Sequence, residues 1–126
     1  MKYLLDTHAI IWCIDKQVSK LSPKAREIIL NPRNTIYISV ASLWEIAIKS
    51  NLGKLDLSVD FLLNELEQSE FGLLQIKNSY LRGLETLPQI HKDPFDRLII
   101  STAQAEGATL LTADENIQEY DIKWAW

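Results

Sequence analysis

Short apolar runs punctuate this chain at intervals filled by helix-like sequence, and that alternation constrains the fold more than any other feature. The runs are KYLLD (2–6), TIYISV (35–40), GLLQI (72–76) and ATLLTAD (108–114), with DIKWAW as a final strand or tail. They are apolar almost throughout rather than at every second position. Such runs belong to a parallel sheet covered by helices on both faces. In open sheets of this kind, ligands sit beyond the carboxyl ends of the strands. The residues just past each strand therefore matter most.

The intervening segments carry helix signals. THAIIWCID has helical spacing, with Thr7 at a capping position. Residues 22–30, SPKAREIIL, start with Ser22 as N-cap and Pro23 at the first helical position. SLWEIAIKS (42–50) reads as a helix broken by NLGKLDL. Residues 58–69 form another helix capped by Ser58, and KNSYLRGLE a short one before the loop TLPQIH. DPFDRLIISTAQAEG (93–107) has Asp93 as cap, Pro94 behind it and Gly107 as a stop. ENIQEY is a helical turn. Trp12 and Trp44 are expected in the core, with the terminal tryptophans covering a sheet edge.

The chain of 126 residues is long enough for one domain, 1–126, with its own core. No apolar run approaches the ~18 residues of a membrane span. Asp6 and His8 interrupt the first apolar stretch, which argues against a secretory leader. The lone cysteine, Cys13, allows no internal disulfide and reads as a small core residue; a cytoplasmic setting fits. The net charge of −4 excludes nucleic-acid binding by bulk positive charge. Any such partner must be held through a local patch or a metal.

Four acids fall at the same end of the expected sheet. Asp6 ends the first strand, and ATLL runs through Thr112 into Asp114. Glu45 lies near the start of the helix after TIYISV. Asp96 lies in the first turn of the helix before ATLL, and antiparallel packing brings that turn to the same edge. Each acid also has a local role. Asp6 can cap the first helix, Ser42-Leu-Trp-Glu45 has the form of a capping box, and Glu45 stands four residues before Lys49. Asp93 is a natural cap, Asp96 favours the helix dipole, and Asp114 suits a turn. Glu45 and Asp96, however, sit on the rims of apolar helix stripes, where charge is rarely kept unpartnered. No basic residue is placed to serve all the acids. Two carboxylates ~4 Å apart repel by about 4 kcal/mol at an effective dielectric near 20. Either the acids are spread apart, or some are protonated, or a cation sits among them. An all-oxygen set suits Mg²⁺ or Mn²⁺ rather than zinc. Lys49, Lys92 and Arg97 are basic side chains near these motifs, of a kind more often found as solvated helix-end charges. His8 and His91 flank two of these motifs and are expected to make local hydrogen bonds.

Taken together, YLLDTHAIIW, SVASLWEIAIKSNLGKL, HKDPFDRLIISTA and LLTADENIQEY resemble PIN-domain ribonucleases, and more narrowly the VapC-type toxins of toxin–antitoxin pairs. The pieces stand in family order and cover nearly the whole chain. The resemblance implies a PIN-like three-layer α/β sandwich, a mostly parallel sheet of about five short strands with helices on both faces. It implies Asp6, Glu45, Asp96 and Asp114 as the catalytic and metal-binding set, with one or two Mg²⁺ or Mn²⁺ ions. Asp93 resembles an additional acid, and Thr7, Ser39 and Thr112 the small hydroxyl residues near such sites. The implied reaction is hydrolysis of RNA, leaving a 5′-phosphate and a 3′-hydroxyl, with Lys49, Lys92 and Arg97 as candidates for phosphate contacts at the rim. The implied partners are a cognate antitoxin, laid over the apolar helices near 10–14, 43–48 and 61–66, and a second copy of the chain. Two other readings share these residues. A non-catalytic metal- or partner-binding module needs the same acids. An aspartyl-phosphate phosphatase also places an Asp after its first strand, but its usual second acid is replaced here by His8.

Overall fold

A computed structural model describes residues 1–126. The strands are β1 (Lys2–Leu5), β2 (Thr35–Ser39), β3 (Gly72–Leu74), β4 (Thr109–Leu111) and β5 (Trp124–Ala125). They form one sheet in the order β3-β2-β1-β4-β5, and every neighbouring pair is parallel. β1 is central, with Leu4 opposite Tyr37 on one side and Leu110 on the other. The helices are α1 (Thr7–Ile14), α2 (Pro23–Leu30), α3 (Val40–Asn51), α4 (Val59–Gln68), α5 (Asn78–Leu84), α6 (Pro94–Glu106) and α7 (Glu115–Gln118), with a 3-10 turn at Val18–Lys20.

The two-residue period of β1 divides the core. Tyr3 and Leu5 face one way, joining Ile36 and Ile38 of β2 and residues of α1 to α4. Leu4 faces the other way, against Leu110 and the Ile99, Ile100 and Ala103 face of α6. Apolar side chains are therefore needed at consecutive positions, which is why the strands read as unbroken apolar runs. α5 lies over α6: Ser101 Oγ donates to the Tyr80 carbonyl at 2.6 Å, and Gly83 passes so close that a Cβ there would collide with that hydroxyl.

Local caps hold the helix starts where the strands end. Ser22, Ser58 and Asp93 accept from Ala25, Phe61 and Asp96 amides, and Gly107 ends α6 in the left-handed conformation. Of the two residues the sequence offers as the α1 cap, Asp6 takes the place and Thr7 becomes the first helical residue. The start of α3 differs from the sequence reading: it lies at Val40 with Ser39 as its cap, so Ser42 and Glu45 form no capping box. Ser42 is instead fully buried, where its Oγ accepts from Thr7 Oγ1 at 3.0 Å and ties α1 to α3. Trp44 also departs from expectation. Leu43 and Ile46 take the core-facing side of α3, which turns Trp44 outward, 56% exposed and edge-on to Phe95 at 5.0 Å. Trp12 is half-buried against Trp126, and Cys13 packs at the margin of the main core, where burial pushes its thiol pKa up.

Candidate metal centre

The parallel sheet delivers β1 and β4 side by side, and the residues just beyond them carry the first two acids. Asp6 succeeds Leu5 and is 3% exposed. Its Oδ1 accepts from the Ala9 amide at 2.8 Å, and its Oδ2 accepts from Thr112 Oγ1 at 2.5 Å. The Thr112 hydroxyl in turn accepts from the Asp114 amide at 3.1 Å. One buried threonine thus sets the spacing of the two strand-end acids. Asp114 Oδ1 caps α7, accepting from Asn116 at 2.8 Å. A cleft of about 190 Å³ opens here, lined by Asp6, His8, Trp12, Ala113 and Asp114.

The first turn of α6 brings Asp96 to the same edge. Asp93 caps that turn by accepting from the Asp96 amide at 3.0 Å, which fixes where the Asp96 side chain leaves the helix. Asp96 Oδ2 lies 2.8 Å from His91 Nε2, and the same nitrogen lies 3.8 Å from Asp114 Oδ2. Ligand atoms of His91, Asp96 and Asp114 all fall within 4.8 Å of one another. Sequence alone predicts only local hydrogen bonding for His91. Its position two residues before the Asp93 cap is the available signal, but its reach to Asp114 depends on tertiary packing.

Glu45 comes from α3 and is 6% exposed. Its Oε2 pairs with Lys49 at 2.9 Å, the spacing of one helical turn. Its Oε1 is buried with no hydrogen-bond partner. A buried carboxylate oxygen without a partner is costly.

The electrostatics reflect this crowding. Burial raises the Asp6 pKa above the ordinary carboxylate range; the Thr112 and Ala9 hydrogen bonds oppose the rise and the Asp114 charge adds to it. Burial, then the Asp93 charge, pushes Asp96 up to about 7, with a smaller contribution from Glu45 and opposition from His91. These groups fit a hard divalent cation. Carboxylate oxygens from separate elements converge, one buried oxygen lacks any donor, and two acids resist ionisation until positive charge is supplied.

The other residues expected near the site divide clearly. Thr112 touches Asp6 directly, whereas Thr7 reaches Ser42 and Ser39 caps α3 at the Ala41 amide. Lys92 is exposed beside a groove of about 550 Å³ that Arg97 also lines. The Arg97 guanidinium is already engaged, however, by the carbonyls of Leu87, Pro88 and His91 and the Tyr120 hydroxyl. Lys49 is held by Glu45.

Comparisons with known proteins agree with this architecture. The family model for the PIN domain matches residues 3–123. No curated protein matches the chain in sequence. Among solved structures, VapBC2 from Rickettsia felis, bound to a DNA fragment from its promoter, superposes with a TM-score of 0.75 at 22% identity, covering 99% of this chain and 98% of that one. DNA-bound VapBC from Salmonella typhimurium gives 0.70 at 20%, covering 99% and 97%. VapBC-5 from Mycobacterium tuberculosis gives 0.59 at 18%, covering 98% and 95%. At these identities the likeness is one of fold.

Proposed function

The chain belongs to the PIN-domain family, and from that premise we propose that it is a metal-dependent endoribonuclease acting as the toxin of a toxin–antitoxin pair. The observation that carries the reading is the partnerless, buried Oε1 of Glu45, an acid whose charge is felt by Asp96, which lies beside Asp114, whose charge is in turn felt by Asp6. Asp6, Asp96 and Asp114 hold one or two Mg²⁺ or Mn²⁺ ions, and Glu45 completes the set. An ion bound there would supply a water of near-neutral pKa and positive charge against that developing on the phosphate. The chain's own residues do the rest. Thr112 and Ala9 hold the Asp6 carboxylate in one orientation. Asp93, as the α6 cap, positions Asp96. A carboxylate of the set takes the proton of the attacking water. Thr7 and Ser39 keep the starts of α1 and α3 in place. Lys92, exposed on the groove that Arg97 also lines, contacts the RNA backbone; Lys49 and Arg97 contribute charge from their paired positions.

The partner reading rests on the fold relatives, which are toxin–antitoxin complexes, and on the apolar residues left in solvent. Trp44, Ile48 and Leu52 on and just beyond α3 and Phe61 and Leu63 on α4 are all exposed. An antitoxin covers this side and reaches the acidic cleft, and a second copy forms a homodimer. The direct test is incubation of total cellular RNA with the chain, with and without Mn²⁺ or Mg²⁺, beside Asp6→Asn. Metal-dependent fragments bearing 5′-phosphates, absent with the variant, are expected. Metal binding without any cleavage would favour a binding module. An acyl-phosphate on Asp6 would favour the phosphatase chemistry instead.

A further inference from the structure

We propose that His91 is a nitrogen ligand of this centre and biases it toward Mn²⁺ and later first-row ions over Mg²⁺. The proposal depends on the nuclease reading, in which the acids hold a divalent ion.

The geometry is that of a shared coordination sphere. Ligand atoms about 2.1 Å from an octahedral ion lie ~3 Å apart when adjacent and ~4 Å apart when opposite. His91 Nε2 stands 2.8 Å from Asp96 Oδ2 and 3.8 Å from Asp114 Oδ2. These two carboxylates come from different elements, the first turn of α6 and the residue before α7. A histidine that served only to pair with Asp96 has no need to stand within reach of both.

The His91 backbone is also held in advance. The His91 amide donates to the Tyr120 hydroxyl at 2.8 Å, and the His91 carbonyl accepts from Arg97 Nη1 at 3.3 Å. Tyr120, 4% exposed, donates to the Pro88 carbonyl at 2.9 Å, and Arg97 binds the Leu87 and Pro88 carbonyls at 3.2 and 2.8 Å. The segment from Leu87 to His91 contains no helix or strand, yet it is clamped from α6 and from the segment after α7. Such fixing of the main chain before binding limits where the imidazole can stand, as a ligand position requires. The clamp also explains why Arg97 is engaged inward rather than free at the rim.

The donor type decides the ion. Mg²⁺ prefers oxygen ligands and keeps much of its water, whereas imidazole favours transition ions. Adding one nitrogen to a carboxylate set therefore raises affinity for Mn²⁺ more than for Mg²⁺.

Pulsed EPR of the full chain loaded with Mn²⁺ tests this without reference to cleavage. The chain has only two histidines, His8 and His91. An imidazole nitrogen coupling is expected in the native protein, converted to the ¹⁵N pattern by labelled histidine, retained in His8→Asn and lost in His91→Gln. Calorimetry is expected to give a loss of about tenfold or more in Mn²⁺ affinity for His91→Gln, against less than about threefold for Mg²⁺. Mn²⁺ bound without nitrogen coupling, or coupling that disappears with His8→Asn, overturns the His91 assignment and leaves the nuclease reading intact. Failure of the native chain to bind Mn²⁺ overturns both. The labelled native protein and His8→Asn decide the matter even if His91→Gln does not fold.

Discussion

Replacing Asp96 by Asn should stabilise the metal-free protein at pH 8. The Asp96 carboxyl is pushed from its ordinary 3.8 to about 7, first by burial and then by the charges of Asp93 and Glu45. At ~1.4 kcal/mol per pH unit, holding it ionised in the folded chain costs about 4 kcal/mol. Asn carries no charge and keeps a similar shape. Its weaker contact with His91 returns about 1 kcal/mol, so a net gain of about 3 kcal/mol is expected, or roughly 10 °C in Tm for a domain of this size. The sign comes from proton counts. Between pH 4 and 7 the folded chain keeps a proton on Asp96 that the unfolded chain has lost, so stability falls as pH rises through that window. Asp6, also raised, acts in the same direction. Glu106 is held low by Tyr80 and Lys77, so its contribution is lost on acidification instead. Both are common to the two proteins and cancel in the difference. Urea unfolding in EDTA at steps from pH 4 to 8 measures that difference directly. Asn should be about 1 kcal/mol the less stable at pH 4, where the folded chain keeps the Asp96 proton, and about 3 kcal/mol the more stable above pH 7. Saturating Mn²⁺ should invert the order, because the native carboxylate then gains binding energy that Asn does not. A native protein whose stability in EDTA does not fall relative to Asp96→Asn would refute the reasoning, since the acids would then not be crowded enough to need a cation.

Other perturbations probe separate parts of the molecule. Asp6→Asn and Asp114→Asn should each lower RNA cleavage by about a hundredfold or more, with circular dichroism unchanged. Tyr120→Phe leaves Pro88, His91 and Arg97 without their shared hydroxyl; a loss of about 1–3 kcal/mol in urea unfolding is expected, with weaker Mn²⁺ binding by calorimetry. Gly83→Ala would drive a methyl into Ser101 Oγ, and a destabilisation of about 1–3 kcal/mol is expected in the same assay. Cys13, with its thiol pKa raised by burial, should react with a thiol reagent at pH 7.5 far more slowly in the folded chain than in urea.

The parts of this fold that depend on neighbours in sequence are legible without coordinates. Ser22-Pro23, Ser58 and Asp93-Pro94 each announce a helix start through a short side chain that can reach its own backbone, and Gly107 announces a stop. The apolar runs announce a sheet covered on both sides. Sequence does not decide between equivalent local signals. Ser39 and Ser42 can both cap a helix, and the choice falls to Ser39 because Ser42 is taken into the α1–α3 contact by Thr7, thirty-five residues away in sequence. Trp44 reads as core by residue type, but the face it occupies is set by which side of α3 meets the sheet. The gathering of Asp6 and Asp114 is legible from strand ends alone. The place of His91 is not, because Tyr120 and Arg97 set it through contacts that no spacing rule encodes.

The carboxylates of this centre are also parts of the scaffold, and that decides how they should be tested. Asp6 caps α1, Asp93 caps α6 and Asp114 caps α7. Together with α3, capped by Ser39, these helices point their amide-rich starts at one edge of the sheet. Those starts carry partial positive charge, which offsets some of the repulsion among the acids before any ion arrives. A parallel sheet places helix starts at the strand ends, so the acids proposed to bind the ion and the acids suited to capping fall at the same positions. An Ala substitution therefore removes a cap as well as a charge, at a cost of about 1 kcal/mol in stability. Asn keeps the cap, because its side-chain oxygen accepts the same amide bonds. Asp6→Ala should accordingly be less stable than Asp6→Asn by about that amount, while both lose metal binding alike. Equal stability of the two would mean that the side-chain oxygen facing the Ala9 amide contributes no stability, and that Asp6 is not held as a cap.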